Sequence, residues 1–117
     1  MMKRMLCIDA HSLGLEAVKR AAEGAGYEVL TAANGQQALE LFASQEVDGV
    51  LLDPRLPDLD AASLGREMER IKPNVPLLFY YGADEGAQTA LRCLHAYIQD
   101  PAPPDLVLAR AARARSA

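Results

Sequence analysis

Short apolar runs alternate with amphipathic stretches along most of the chain. Met5-Leu6-Cys7-Ile8 has strand length and stops at Asp9. Over residues 12–25, Leu15, Val18 and Ala22 recur every three or four positions, which is one face of a helix. Ser12 is its candidate cap and Gly26 its stop. Residues 27–31 read as a second strand. Asn34 and Gln37 then form a capping-box pattern ahead of Ala38-Leu39-Glu40-Leu41-Phe42. Residues 47–52 are apolar on both faces, as the centre of a parallel sheet requires. Residues 58–71 predict a third helix closed by Pro73, and 75–81 a fourth strand. Residues 84–94 predict a short, trimmed fourth helix, Tyr97-Ile98 a brief fifth strand, and 106–115 a last helix capped by Asp105.

Five strand–helix alternations predict a doubly wound α/β domain, a (βα)5 five-stranded parallel sheet with right-handed crossovers. No internal repeat, linker or second domain interrupts residues 1–117, and no output domain is expected. In such sheets the functional site lies beyond the carboxyl ends of the strands. That edge collects Asp9, Ala10 and His11, then Asp53, Pro54 and Arg55, then Tyr81 and Gly82, then Asp100 and Pro101. Asp also caps helices and starts turns, so paired carboxylates alone leave function and capping evenly balanced.

Composition narrows the classes. The chain has 117 residues, half of them hydrophobic, enough for one real core without staples. A net charge of −4 argues against a general nucleic-acid binder. Cys7 and Cys93 match no metal spacing and suit a reduced compartment. Asp9 interrupts the only early apolar run, so no signal peptide is expected, and no stretch has membrane-spanning length. These features predict a cytoplasmic protein with no nucleic-acid and no membrane partner; separately, no enzymatic activity is expected.

Two segments carry a specific resemblance. Gly26-Tyr27-Glu28-Val29 with Thr31-Ala32-Ala33-Asn34-Gly35-Gln36-Gln37-Ala38-Leu39-Glu40-Leu41 resembles the second strand and helix of bacterial response-regulator receiver domains. Asp48-Gly49-Val50-Leu51-Leu52-Asp53-Pro54-Arg55-Leu56-Pro57-Asp58-Leu59-Asp60 resembles their phosphorylation strand and loop. The likeness is strong over residues 5–80 and weak over 81–117. It implies a flavodoxin-like fold with strand order 2-1-3-4-5 and a role in two-component or phosphorelay signalling. It also implies a Mg²⁺-dependent transfer of phosphate to an aspartate. By that pattern Asp53 is the phospho-acceptor, Asp9 the first acidic residue, and the backbone carbonyl of Arg55 a metal ligand.

The other positions of the pattern depart from the family. The second acid is Ala10. The Ser/Thr position after strand four is Tyr81, and the Lys position after strand five is Asp100. Misalignment rescues none of them: the last Lys is Lys72, the nearest hydroxyl is Thr89, and the next acid after Asp9 is Glu16. Unit charges about 4 Å apart interact by roughly 4 kcal/mol at an effective dielectric near 20. Each 1.4 kcal/mol or so is worth about tenfold in rate, so a Lys-to-Asp reversal is severe. Ala10 removes a hard oxygen ligand. Asp9, Asp53 and Asp100 are expected to form an acidic pocket with no cofactor or only weak Mg²⁺. Arg55 either folds back onto that pocket or, as surface arginines mostly do, stays solvated.

Two classes follow. One is a phosphorylation-independent pseudo-receiver that docks a histidine kinase, another signalling protein or a second copy of itself. It would use its last two helices and fifth strand, with Tyr97 and Arg113 on the contact face. The other is a genuine but inefficient phosphoryl acceptor. A minor alternative comes from Asp9-x-His11-x-x-Gly14, which resembles the lower-ligand loop of cobalamin-binding domains. Ser-x-Leu and Gly-Gly are missing from the later loops that such domains require. Cys7, Tyr80 and Tyr81 read as packing residues.

Overall fold

The computed structural model describes residues 2–80 and 85–99, with Glu85 described by its backbone alone. Four strands and four helices alternate: β1 (Arg4–Ile8), α1 (Ser12–Gly24), β2 (Glu28–Ala32), α2 (Gly35–Ser44), β3 (Gly49–Leu52), α3 (Ala61–Ile71), β4 (Leu77–Phe79) and α4 (Glu85–Gln99). The strands form one parallel sheet in the order β2-β1-β3-β4. This is the flavodoxin-like order expected from the sequence, through its first four strands.

Local chemistry accounts for most boundaries. The Asn34 side chain accepts from the Gln37 amide at 2.9 Å, and the Gln37 side chain accepts from the Ala33 amide at 2.9 Å. This is a reciprocal cap displaced by one residue from the usual box. Gly26 has φ +97°, a conformation that L side chains rarely adopt, and it turns the chain out of α1. Ser12 is the first helical residue rather than the cap. His11 holds the cap position, without a side-chain cap bond. The third helix starts at Ala61 rather than at 58, because Asp60 caps it by accepting from the Ser63 amide at 3.1 Å.

Each face of the sheet carries two helices. One core contains Met5, Cys7, Leu51, Leu78 and Tyr80 under α1 and α4. The other contains Leu6, Ile8, Val50 and Leu52 under α2 and α3. Alternate residues of β1 and β3 thus feed opposite cores, as the two-residue period of a strand dictates.

The end of the described chain corrects the sequence reading. Tyr97 and Ile98 belong to α4, a helix of 15 residues that is neither short nor followed at 97–98 by a strand. Ala87, Ala90, Leu91, Leu94 and Ile98 recur at helical spacing with no Gly or Pro between them, so nothing in the sequence ends the helix at 94. A Cβ on Gly49, at the start of β3, would stand 3.0 Å from Leu94 and 3.2 Å from Ile98. The helix therefore runs down to the amino edge of the sheet, opposite the edge that follows β1 and β3. Tyr81, Asp100, Arg113 and the expected 106–115 helix lie outside the described residues.

Candidate functional site

Parallel register brings two carboxylates together. Ile8 pairs with Leu52 and with Ala32, and the ladder continues one residue further. The Asp53 amide donates to the Ile8 carbonyl at 2.9 Å, and the Asp9 amide to the Ala32 carbonyl at 3.0 Å. The Tyr80 amide donates to the Leu52 carbonyl at 3.0 Å. Asp9, Asp53 and Tyr80 therefore leave adjacent strands at the carboxyl edge. Among the described residues Asp9 and Asp53 are the buried charged side chains, 2% and 0% exposed. Burying carboxylates is costly unless each is fully partnered.

Both are fully partnered. Asp9 Oδ2 accepts from the Tyr80 hydroxyl at 2.9 Å. Its Oδ1 accepts from the His11 amide at 2.8 Å and lies 3.1 Å from His11 Nδ1. Burial and the Asp9 charge push the Tyr80 hydroxyl well above its ordinary value, so it stays a neutral donor. Gly14, in the first turn of α1, passes so close that an added Cβ would stand 2.4 Å from Asp9 Oδ2. The glycine of the Asp9-x-His11-x-x-Gly14 pattern thus has a packing cause that involves no ligand.

Asp53 is held differently. Arg55 folds back onto it: Nε donates to Oδ1 at 3.0 Å, Nη2 to Oδ2 at 2.7 Å, and the Arg55 amide to Oδ1 at 3.0 Å. This two-pronged contact is the strong form of a carboxylate–guanidinium pair. Burial alone would raise the Asp53 pKa. The Arg55 side-chain and backbone hydrogen bonds and charge, with a smaller contribution from His11, outweigh burial and hold it below the usual carboxylate range. The solvated reading of Arg55 is therefore corrected, although its side chain remains 55% exposed on its outer side.

The loop after Asp53 is tied down as well. Asp58 Oδ1 accepts from the Gly35 amide at 2.8 Å and Oδ2 from the Gln36 amide at 3.0 Å. These amides lie at the amino end of α2, and their bonds lower the Asp58 pKa. A Cβ on Gly35 would meet Leu59 at 2.6 Å, so glycine lets the loop lie on α2. No Lys occurs in residues 73–117. Lys72 is engaged elsewhere, its Nζ donating to the Gln45 carbonyl at 2.6 Å and lying 5.1 Å from the Phe42 ring centre. Cys7 is core, its thiol pushed up to about 12 by burial and by Glu23.

The structure brings Asp9, Asp53 and Arg55 into one place. Tyr97 lies on α4, away from this edge. Asp100 lies outside the described residues, and Gln99 before it ends a helix that leads to the opposite edge. Sequence reasoning missed Tyr80 as the partner of Asp9. It set His11 at this edge but not as a partner of Asp9; its ligand atom lies within 4.8 Å of those of Asp9 and Asp53. Asp9, His11 and Asp53 each offer one potential metal-ligand atom there, Ala10 beside them has no side-chain oxygen, and the Arg55 guanidinium lies on Asp53.

Comparison with known proteins agrees with this geometry. The response regulator receiver domain family model matches residues 5–101. The response regulator MprA of Mycolicibacterium vanbaalenii is 32% identical over 81 residues, covering 69% of this chain and 35% of that protein. The chain spans about a third of the length of this relative, and the same holds for the alkaline phosphatase synthesis regulator PhoP of Bacillus subtilis, at 35% of its length. Among solved structures, the response regulator TrrA of Thermotoga maritima, bound to Mg²⁺ and BeF, superposes with a TM-score of 0.61. It is 32% identical, over 67% of this chain and 66% of that one. TrrA in complex with the histidine kinase ThkA gives a TM-score of 0.64 at 30% identity, covering 72% and 75%. The chain belongs to the response regulator receiver family of two-component signalling.

Proposed function

We propose that this receiver domain works as a protein-interaction module of a bacterial two-component or phosphorelay pathway, independently of phosphoryl transfer to Asp53. The observation that carries the reading is the Arg55 fork, which engages both oxygens of the Asp53 carboxylate. Attack on phosphorus needs one of those oxygens free. Arg55 would have to leave first, position 10 is Ala and has no side-chain oxygen to help hold Mg²⁺ in its place, and no Lys follows residue 72. Mg²⁺ favours near-octahedral oxygen sites. Asp9 and Asp53, with the Arg55 carbonyl, would hold it weakly.

The partners proposed are a histidine kinase or other signalling protein, or a second copy of the chain. The contact face would include Tyr97, now placed on α4, and Arg113. The test is association measured by sedimentation and by pull-down with the cognate kinase. Asp53→Asn should leave it unchanged and Tyr97→Ala should weaken it; dependence on Asp53 together with tolerance of Tyr97→Ala refutes the reading. A second reading, a slow phosphoryl acceptor, draws on two observations. The Asp53 pKa is lowered, so the side chain stays an anionic nucleophile, and Arg55 is exposed enough to swing away.

A further inference from the structure

We propose that the groove between the β3–α3 loop and the first turn of α3 binds a small amphipathic carboxylate, an apolar body with one anionic group, and that Arg55 is shared between that anion and Asp53. The site does not depend on whether Asp53 accepts phosphate. The groove has a volume of about 570 Å³, within the range of small-molecule sites, roughly 300–1,000 Å³. Its walls are mostly apolar, with Pro54, Leu56, Pro57, Leu59 and Phe79 among them. Apolar walls set with a few polar groups are what a small ligand needs, the first for affinity and the second for orientation.

Among the described residues that line the groove, three are charged: Arg55, Asp58 and Asp60. Their hydrogen bonds decide the sign of the ligand. Both oxygens of Asp58 accept from amides at the amino end of α2. Asp60 Oδ2 accepts from the Ser63 amide and hydroxyl at the amino end of α3. Each carboxylate thus meets the positive end of a helix, which offsets part of its charge. Arg55 is the only base among the described lining residues. A guanidinium carries five N–H donors. Asp53 takes one from Nε and one from Nη2, so among the described residues both Nη1 hydrogens and the second Nη2 hydrogen stay open, on a side chain 55% exposed. That outer edge presents two parallel donors, the fork that matches a carboxylate. The walls around it are set in advance. Asp58 is tied to α2, and Leu59 lies so close to Gly35 that an added Cβ would meet it at 2.6 Å. Binding between preformed walls avoids an ordering cost. An anion on the outer edge draws on the same positive charge as Asp53, so groove and buried carboxylate are coupled through Arg55.

The probe is phenylacetate, with phenylacetamide and phenethylamine as neutral and cationic controls of similar shape. Each is titrated into the 117-residue protein and followed by amide and arginine Nε NMR. Phenylacetate should shift the amides of residues 55–62 and the Arg55 Nε resonance saturably, and bind more tightly than either control. Arg55→Ala should weaken phenylacetate binding by about tenfold or more, the scale of one charge-assisted hydrogen bond, and leave phenylacetamide nearly unaffected. Asp53→Asn removes the competing carboxylate and should tighten phenylacetate severalfold. Ala62→Trp fills the groove from the exposed start of α3 and should abolish the shifts. Circular dichroism checks that each variant is folded, and Arg55→Gln replaces Arg55→Ala if that variant is not. Phenethylamine binding as tightly as phenylacetate, phenylacetate affinity insensitive to both Arg55→Ala and Ala62→Trp, or no saturable shift in residues 55–62, would overturn the proposal.

Discussion

The two edges of the sheet handle charge in opposite ways. At the carboxyl edge two carboxylates are buried, each with its own set of partners. At the amino edge the charged side chains stay at the surface. Arg4 pairs with Glu28 at 3.3 Å, with side chains 31% and 52% exposed, and Lys72 reaches the Gln45 carbonyl. The Asp48 side chain is half-buried and accepts from the Arg4 amide at 2.8 Å. The same strands and helices close both edges, so the fold does not require buried charge at either end. Exposed pairs are worth roughly 0–1 kcal/mol, whereas buried charges are costly to desolvate. The carboxyl edge therefore keeps an expensive arrangement that packing alone does not explain. That difference singles it out as the candidate functional edge.

The comparison breaks most visibly if a core contact at the amino edge is removed. Leu94 is fully buried under Gly49, and Leu94→Ala should cost about 2–5 kcal/mol in denaturant unfolding. It should leave the chemistry of Asp53 alone, because the helix turn it loosens is at the far edge. A smaller loss is expected at the site. Tyr80→Phe removes the donor to a buried carboxylate and should cost about 1–3 kcal/mol. A change of less than a few tenths of a kcal/mol would mean that water replaces the hydroxyl and that Asp9 is less enclosed than its geometry implies.

The Asp53–Arg55 pair sharpens the comparison through pH. A carboxylate whose folded pKa lies below its unfolded value stabilises the protein above the unfolded pKa, about 3.9. That contribution disappears as pH falls through the lower folded value. In Arg55→Ala the guanidinium's hydrogen bonds and charge are lost, burial is opposed only by the residue-55 amide and the smaller His11 contribution, and the Asp53 pKa should rise. The melting temperature of Arg55→Ala should therefore fall furthest below that of the wild type at neutral pH, and the gap should close on acidification below about pH 4. A gap independent of pH would mean that Arg55 acts by packing rather than by charge. The smallest effect belongs to the exposed pair: Arg4→Ala should change stability by roughly 0–1 kcal/mol and be insensitive to pH between 5 and 8 or so.

How much of this was legible in the residues differs along the chain. The runs at Met5-Leu6-Cys7-Ile8 and Val50-Leu51-Leu52 carry enough periodicity to place Asp9 and Asp53 side by side once the sheet is parallel. For Arg55 the sequence leaves both the fold-back and the solvated side chain open, and surface statistics favour the solvated one, which the structure corrects. The signal that favours the fold-back is charge balance: a buried Asp with no Lys downstream needs a cation nearby. Tyr80 was read as packing, yet it alternates with Leu78 into the core, and a buried tyrosine hydroxyl needs a partner. His11 was weighed only for cobalt, since no linear pattern shows that its Nδ1 reaches Asp9 Oδ1. The far end misled for a plain reason. The resemblance invites a strand at Tyr97-Ile98, while the helical period running unbroken from Ala87 to Ile98 favours the helix.

The account turns on whether Asp53 accepts phosphate, and intact-mass measurement after incubation with acetyl phosphate and Mg²⁺ tests this most directly. Because Arg55 engages the Asp53 carboxylate and Ala10 withholds a ligand, the wild type should show little or no added phosphoryl mass. Stoichiometric labelling that disappears in Asp53→Asn would contradict the account and establish the domain as a working phosphoryl acceptor.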